Sequence, residues 1–211
     1  MTREKFIQHL KDYEWDYSIM PDGTIEILES NPSMSITNTE SLPGNLVFRN
    51  NGNIYFSNIY YFEGPVSFYN RGNVDLLNLQ SLDVDGCVFE NEGTLSLYRC
   101  KSISVNTTFN SQGDHAYIYF NDLKSMCESL TFTNSGNLDL GRIKEIPRGT
   151  VFANGGEVRA ESVEISKIDP TVKFMNLGSV HLDGIATDDW DLDVDGISGN
   201  RILPLVAKGL F

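Results

Sequence analysis

The sequence predicts an all-β fold, a parallel β-solenoid of about seven coils of 20–23 residues with a short N-terminal helical cap. Three observations carry that prediction. A phenylalanine returns at Phe48, Phe68, Phe89, Phe109, Phe132, Phe152 and Phe174, with spacings of 20, 21, 20, 23, 20 and 22. Asn50, Asn70, Asn91, Ser111, Asn134, Asn154 and Asn176 stand two places after it, and Gly52, Gly72, Gly93, Gly113, Gly136, Gly156 and Gly178 four places after it. An alternating apolar pair then follows, from Ile54 and Phe56 to Val180 and Leu182, with a further apolar residue three places on, from Ile59 to Ile185.

Alternation with period 2 means strands, and strands at a fixed phase in a short repeat mean a solenoid whose coils stack as parallel ladders. Helices have no room in 20 residues that already hold two strands and two turns. Glycine suits the corner between the strands because it reaches positive φ freely. Asn has the parity of Phe and therefore faces inward, where an unpartnered amide costs a few kcal/mol. Stacked copies bonding one another as an Asn ladder relieve that cost, and Ser111 is where the ladder should break. The fourth copy holds three extra residues, which predicts a protruding loop at Asp114 to Ala116.

The ends read as caps. Residues 1–43 comprise a helix and a degenerate first coil. In "TREKFIQHLKDYEW" Thr2 is placed as N-cap, and Phe6, Ile7, Leu10 and Tyr13 lie on one side. Gly23, Ile25 and Ile27 fit the glycine-and-pair phase of an early coil, and Met34, Ile36 and Leu42 fit later apolar positions. The solenoid proper covers 44–185. Residues 186–211 form an acidic capping strand and tail, in which Asp191, Asp193, Asp195 and Gly196 resemble the start of a calcium loop. The twelfth position of such a loop is Ile202 rather than Glu. Trp190, Leu192 and Val194 facing inward, with the Asp residues in water, is the alternative reading and the better fit.

The formal charge of −13 argues against binding phosphate backbones directly, which needs clustered Lys and Arg. Residues 1–43 carry −5, residues 44–185 carry −5 over a longer stretch, and residues 186–211 carry −3. The acidic parts are thus the ends. Cys87, Cys100 and Cys127 lack disulfide or zinc spacing and read as reduced, structural thiols. The chain has no signal-type h-region and no long apolar run, so a soluble cytoplasmic protein without membrane contact is the expectation.

No catalytic residue, cofactor site or metal ligand is assigned. His9, His115 and His181 are scattered, and no GxGxxG, phosphate-loop or GxSxG motif occurs. The outward column Tyr55, Asp75, Ser96, Tyr119, Asp139, Arg159, His181 is mixed. Asp75 and Asp139 stand three coils apart, about 14 Å, too far for a glycosidase pair. The candidate partner surface therefore consists of what does not repeat: Tyr55, Tyr60, Tyr61 and Tyr69 near the first coil, Asp114 and His115 in the inserted loop, and Asp189, Asp191 and Asp193 in the acidic end. Tyr60 and Tyr61 closing a corner against the N-terminal helix is an equal alternative.

Forms such as "SLPGNLVFRNNGNIYFSNI" and "EIPRGTVFANGGEV" resemble the repeats of leucine-rich-like FxNxG short-repeat solenoid proteins of tailed phages and bacteria, over about residues 42–185. The resemblance concerns the scaffold, and it implies a phage or bacterial host-interaction or counter-defence factor. The function expected is a non-enzymatic repeat scaffold that binds a protein partner. Two alternatives are an acidic nucleic-acid mimic, which the balanced middle disfavours, and a glycan-binding or glycan-cleaving β-helix, which the absence of a secretion signal disfavours.

Overall fold

Each repeat contributes two alternating segments and one short apolar step, and each of these becomes one side of a three-sided coil. The computed structural model describes residues 1–28, 33–113, 116–175 and 179–182. Sheet 1 takes the Phe strands in order: Leu46–Asn50, Val66–Asn70, Cys87–Asn91, Thr107–Ser111, Thr131–Asn134, Val151–Asn154 and Lys173–Phe174, all parallel. Sheet 2 takes the strands after the corner, from Ser33–Ser35 and Asn53–Tyr55 to Val158–Ala160 and Val180–Leu182. The third side is thinner. It pairs Ser41–Leu42 with Tyr61–Phe62, and Ser81–Leu82 with Ser102–Ile103 and Ser125–Met126, and ends in a parallel bridge from Ile146 to Ile168.

The inward residues form one continuous core. Phe48, Phe68, Phe89, Phe109, Phe132, Phe152 and Phe174 stack ring on ring, with centroids 4.9–5.5 Å apart and planes within 17° of each other. Such pairs contribute roughly 0.5–1.5 kcal/mol each beyond the area they bury. The third side adds a buried column at the same period of 20–23 residues, Leu42, Phe62, Leu82, Ile103, Met126, Ile146 and Ile168.

The Asn ladder forms in two pieces. Asn70 Nδ2 donates to Asn91 Oδ1 at 3.1 Å, and Asn134 Nδ2 donates to Asn154 Oδ1 at 3.0 Å. Between them Ser111 Oγ turns to the Asn91 carbonyl at 2.8 Å, which leaves Asn91 Nδ2 and Asn134 Oδ1 buried without partners. Asn50 makes no side-chain bond to Asn70, so the ladder starts one coil late. A second row of Asn lies just past the corner. The side-chain oxygens of Asn53, Asn73 and Asn137 accept the backbone N–H of Asn73, Thr94 and Glu157 in the next coil, at 2.8–2.9 Å.

The corner glycines have a different cause from the one the sequence suggested. Gly72, Gly93, Gly136 and Gly156 do not adopt positive φ. They are needed because successive coils come too close for a side chain: a Cβ would lie 2.4 Å from the Gly52 carbonyl oxygen at Gly72 and 1.8 Å from the Ala116 oxygen at Gly136. Positive φ occurs instead at the corner leading into sheet 1, at Asn45, Gly86, Ser129 and Gly149. The contact of Gly136 also places Ala116, rather than Gly113, in the corner position of the fourth copy. Ala116 is accordingly buried and does not belong to a protruding loop, while Asp114 and His115 lie outside the described residues.

The N-terminal cap has two parts. Helix α1 (Arg3–Asp12) is capped by Thr2, whose Oγ1 accepts the Lys5 N–H at 3.4 Å. It buries Phe6 and Leu10, and Phe6 meets Phe48 edge-on with ring centroids 6.4 Å apart. Tyr13, expected on that side, lies past the last turn and is 52 % exposed, and Trp15 takes the inner place. A strand, Tyr17–Ile19, then pairs antiparallel with Ile25–Ile27 and covers the open edge of sheet 1. The register Ile25↔Leu46 and Ile27↔Phe48 assigns Ile25 and Ile27 to the Phe strand, not to the pair after the corner. Met34 and Ile36 hold that second position, with Met34 beside Ile54. The residues 183–211, with the DxDxDG run, lie outside the described residues.

Two substitutions test these packing arguments. Ser111→Asn should complete the ladder by meeting both orphaned groups, since donors run in one direction along it. The expected gain is about 1–3 kcal/mol, read as a higher Tm, and a lower Tm would contradict the ladder account. Gly136→Ala should cost about 1–3 kcal/mol in a denaturant titration, because the obstacle at that corner is backbone and cannot step aside.

Candidate functional site

In a solenoid the outward side chains form columns in the same register as the core, so the surface can be read coil by coil. On sheet 2 the pairings Tyr55↔Asp75, Asp75↔Ser96, Ser96↔Tyr119, Tyr119↔Asp139, Asp139↔Arg159 and Arg159↔His181 give the column read from the repeat. The four tyrosines expected to act together are dispersed. Tyr55 projects from sheet 2 and Tyr61 from the third side, with Tyr60 at the corner between them. Tyr69 lies on sheet 1 beneath the Arg49 guanidinium, 4.6 Å from its ring centre. Asp114, His115, Asp189, Asp191 and Asp193 lie outside the described residues.

A different aromatic group is brought together. Tyr117 and Tyr119, on opposite ends of one short strand, have ring centroids 5.9 Å apart, and Tyr98 of the preceding coil stands 5.7 Å from Tyr119. Leu77, exposed one coil further back, is joined to this row through the Arg99 N–H bond to its carbonyl. Parallel stacking is what assembles it: Tyr98 is 21 residues from Tyr119 in sequence and one coil away in space. The signal available in the sequence was the outward column itself, which sets Tyr119 beside Ser96, with Tyr98 two places further along the Ser96 coil.

Charged groups flank the tyrosines. The Asp139 carboxyl is held above the usual carboxylate range by burial, against the opposing pull of the Gly141 N–H and of Arg159. The same burial, with Asp139 nearby, pushes the Tyr117 phenol up. Asp75 is also raised by burial, and its Oδ1 is buried without a partner. Further along, Glu157 accepts from Arg159 at 2.7 Å, and its other carboxylate oxygen lies against His181 Nε2.

This last group does not have the geometry of a hydrolytic site. Ser179 Oγ lies 3.0 Å from His181 Nε2, and Glu157 bonds the same nitrogen. A nucleophile relay needs the acid on one imidazole nitrogen and the hydroxyl on the other. Cys100 is no better a nucleophile, since burial pushes its thiol up to about 12. Among the described residues no three His, Cys, Asp or Glu side chains are grouped to hold a metal ion, and no helix is long and apolar enough to cross a membrane.

A second feature lies at the corner between sheet 2 and the third side. Lys101, Lys124 and Lys144 occupy one position of three successive coils, and Arg99 and Arg142 stand two places before the first and last of them. All five are exposed. The backbone sets the register, with the Lys124 N–H on the Lys101 carbonyl at 2.9 Å. Lys101 Nζ also donates to Gln80 at 2.8 Å, and Arg142 stands 3.9 Å from Asp122.

The electrostatic reading of Asp75 is testable. Its folded carboxyl is raised, so the penalty is present at neutral pH and is lost as pH falls through that raised value. Asp75→Asn should raise Tm at neutral pH, by a shift on the order of 2 °C, and the difference should shrink on acidification. A lower Tm for the variant at neutral pH would mean that the carboxylate is stabilising. Compared with protein-family models, with curated proteins and with solved structures, the chain matches none of them.

Proposed function

We propose that the protein is a non-enzymatic repeat scaffold that presents sheet 2 to a protein partner, and that it serves as a phage or bacterial host-interaction or counter-defence factor. The observation that carries the first part is the row formed by Leu77 and Tyr98, exposed in the turns that follow sheet 2, and by the half-buried Tyr119 and Tyr117 on the sheet beside them, with Arg99 next to Tyr98. Tyr and Arg are the residues most enriched at the energetic centres of interfaces. Tyr117 and Tyr119 stand on a parallel ladder, and the turn with Tyr98 is tied to the next coil by the Asn121 and Asp122 N–H groups on its carbonyl, which spares the loop ordering that costs affinity elsewhere. The second part rests on the resemblance of the repeats to those of phage and bacterial solenoid proteins.

The alternatives receive less support. A nucleic-acid mimic needs an unbroken row of carboxylates, whereas Asp75 and Asp139 are separated by Ser96 and Tyr119 in their column. Three lysines stacked at the neighbouring corner work against such a mimic too. For cleavage of glycans, the two column carboxylates are three coils apart.

The test is capture from host lysate by the immobilised protein and by Tyr98→Ser/Tyr119→Ser. Saturable retention of one polypeptide by the parent protein, lost in the double variant with an unchanged circular dichroism spectrum, is the expected result. Equal retention by both proteins, or none by either, would count against sheet 2 as the binding face. Salt-sensitive retention of nucleic-acid enzymes would favour mimicry instead.

A further inference from the structure

We infer that the corner ridge of Arg99, Lys101, Lys124, Arg142 and Lys144 is the docking edge for a short acidic segment of the partner protein. The inference rests on the partner-binding reading above and adds the chemistry of what is bound.

The fold does not require these cations. The lysine column is occupied by Tyr60 and Gln80 in the two coils before and by Glu164 in the coil after, so the corner accepts neutral, aromatic or acidic side chains. Parallel stacking instead places three ammonium groups on backbones about 4.8 Å apart, an arrangement of like charges that repels itself. Among the described residues no carboxylate comes within 4.0 Å of Arg99, Lys101, Lys124 or Lys144, and the one ion pair on the ridge, Arg142 with Asp122, is long. In a chain of net charge −13, five of the sixteen Lys and Arg residues are gathered over three coils.

The size and surroundings of the ridge indicate what fits it. It spans roughly 10 Å along the axis, about three residues of extended chain. Beyond one end it meets Glu161 and Glu164, which line a 450 Å³ surface depression with Lys144, Glu145, Ser162 and Lys167. A long polyanion laid along the axis would run onto those carboxylates, whereas two or three adjacent Asp or Glu side chains would not. On its other flank the ridge adjoins Tyr98, next in sequence to Arg99, which offers an aromatic contact for an apolar residue beside the acids.

The probe is a labelled dodecapeptide with three contiguous Asp or Glu residues and one flanking Phe, measured beside its Asn/Gln twin and a single-stranded oligonucleotide of equal charge. The parent protein should bind the acidic peptide, more weakly as salt rises, and should ignore the twin. Lys101→Gln/Lys124→Gln/Lys144→Gln should weaken binding at least about tenfold, whereas the same triple change to Arg should retain it. Thermal melts of both variants check the fold. Absence of peptide binding by the parent, equal binding by the Gln variant, or tighter binding of the oligonucleotide would each overturn the inference. Failure here is separable from failure of the partner reading. If the Gln variant keeps a lysate partner that Tyr98→Ser/Tyr119→Ser loses, the ridge inference falls and the partner reading stands. Peptide binding by the ridge with no partner on sheet 2 would be the reverse.

Discussion

Strand spacing is the constraint from which the rest of this structure follows. Parallel ladders set successive coils about 4.8 Å apart, and a flat ring is the side chain that fills such a gap completely when it lies on its own copy. The seven Phe rings do this with nearly parallel planes, so the core column and the hydrogen-bonded ladder enforce the same repeat. Neither can slip by one residue without turning every Phe to solvent. Register is accordingly kept across the fourth copy despite its three extra residues, with Phe132 on Phe109 and Ile118 on Leu95.

The same spacing sets the terms for polar groups. An inward amide can be satisfied only by the coil above or below it, and this makes an Asn column stable as a run and costly wherever it stops. At Ser111 the run stops and leaves one buried donor and one buried acceptor. At the corner after the ladder, coils approach until only glycine fits, or Ala116 where the insertion intervenes. The cap answers the same geometry: an antiparallel strand closes the edge of sheet 1, and Phe6 closes the end of the ring stack.

On the outside, stacking turns sequence columns into chemical surfaces. Average charge conceals them. Residues 44–185 sum to only −5, yet that total contains a five-cation ridge and, on the neighbouring face, carboxyls raised by burial. The tyrosine row and the ridge share coils and a corner, so a partner reaching one reaches the other. Both occur where columns depart from their repeat pattern, which is where folding has no demand on the residue.

The sequence by itself determined the period, the strands, the inward identity of Phe and Asn, the break at Ser111 and the helical cap, because each is a matter of local alternation and fixed spacing. The lysine column was legible in the same way: its spacings of 23 and 20 are those of Phe109, Phe132 and Phe152. Tertiary structure alone decided the rest. It sent Tyr55, Tyr61 and Tyr69 to three different sides, although they are close in sequence. It moved the corner from Gly113 to Ala116 and assigned Ile25 and Ile27 to the Phe strand. It made close approach, not positive φ, the reason for the corner glycines. At the corners the deciding quantity is the distance between neighbouring coils, and for Ile25 and Ile27 it is the pairing register, neither of which a single repeat contains.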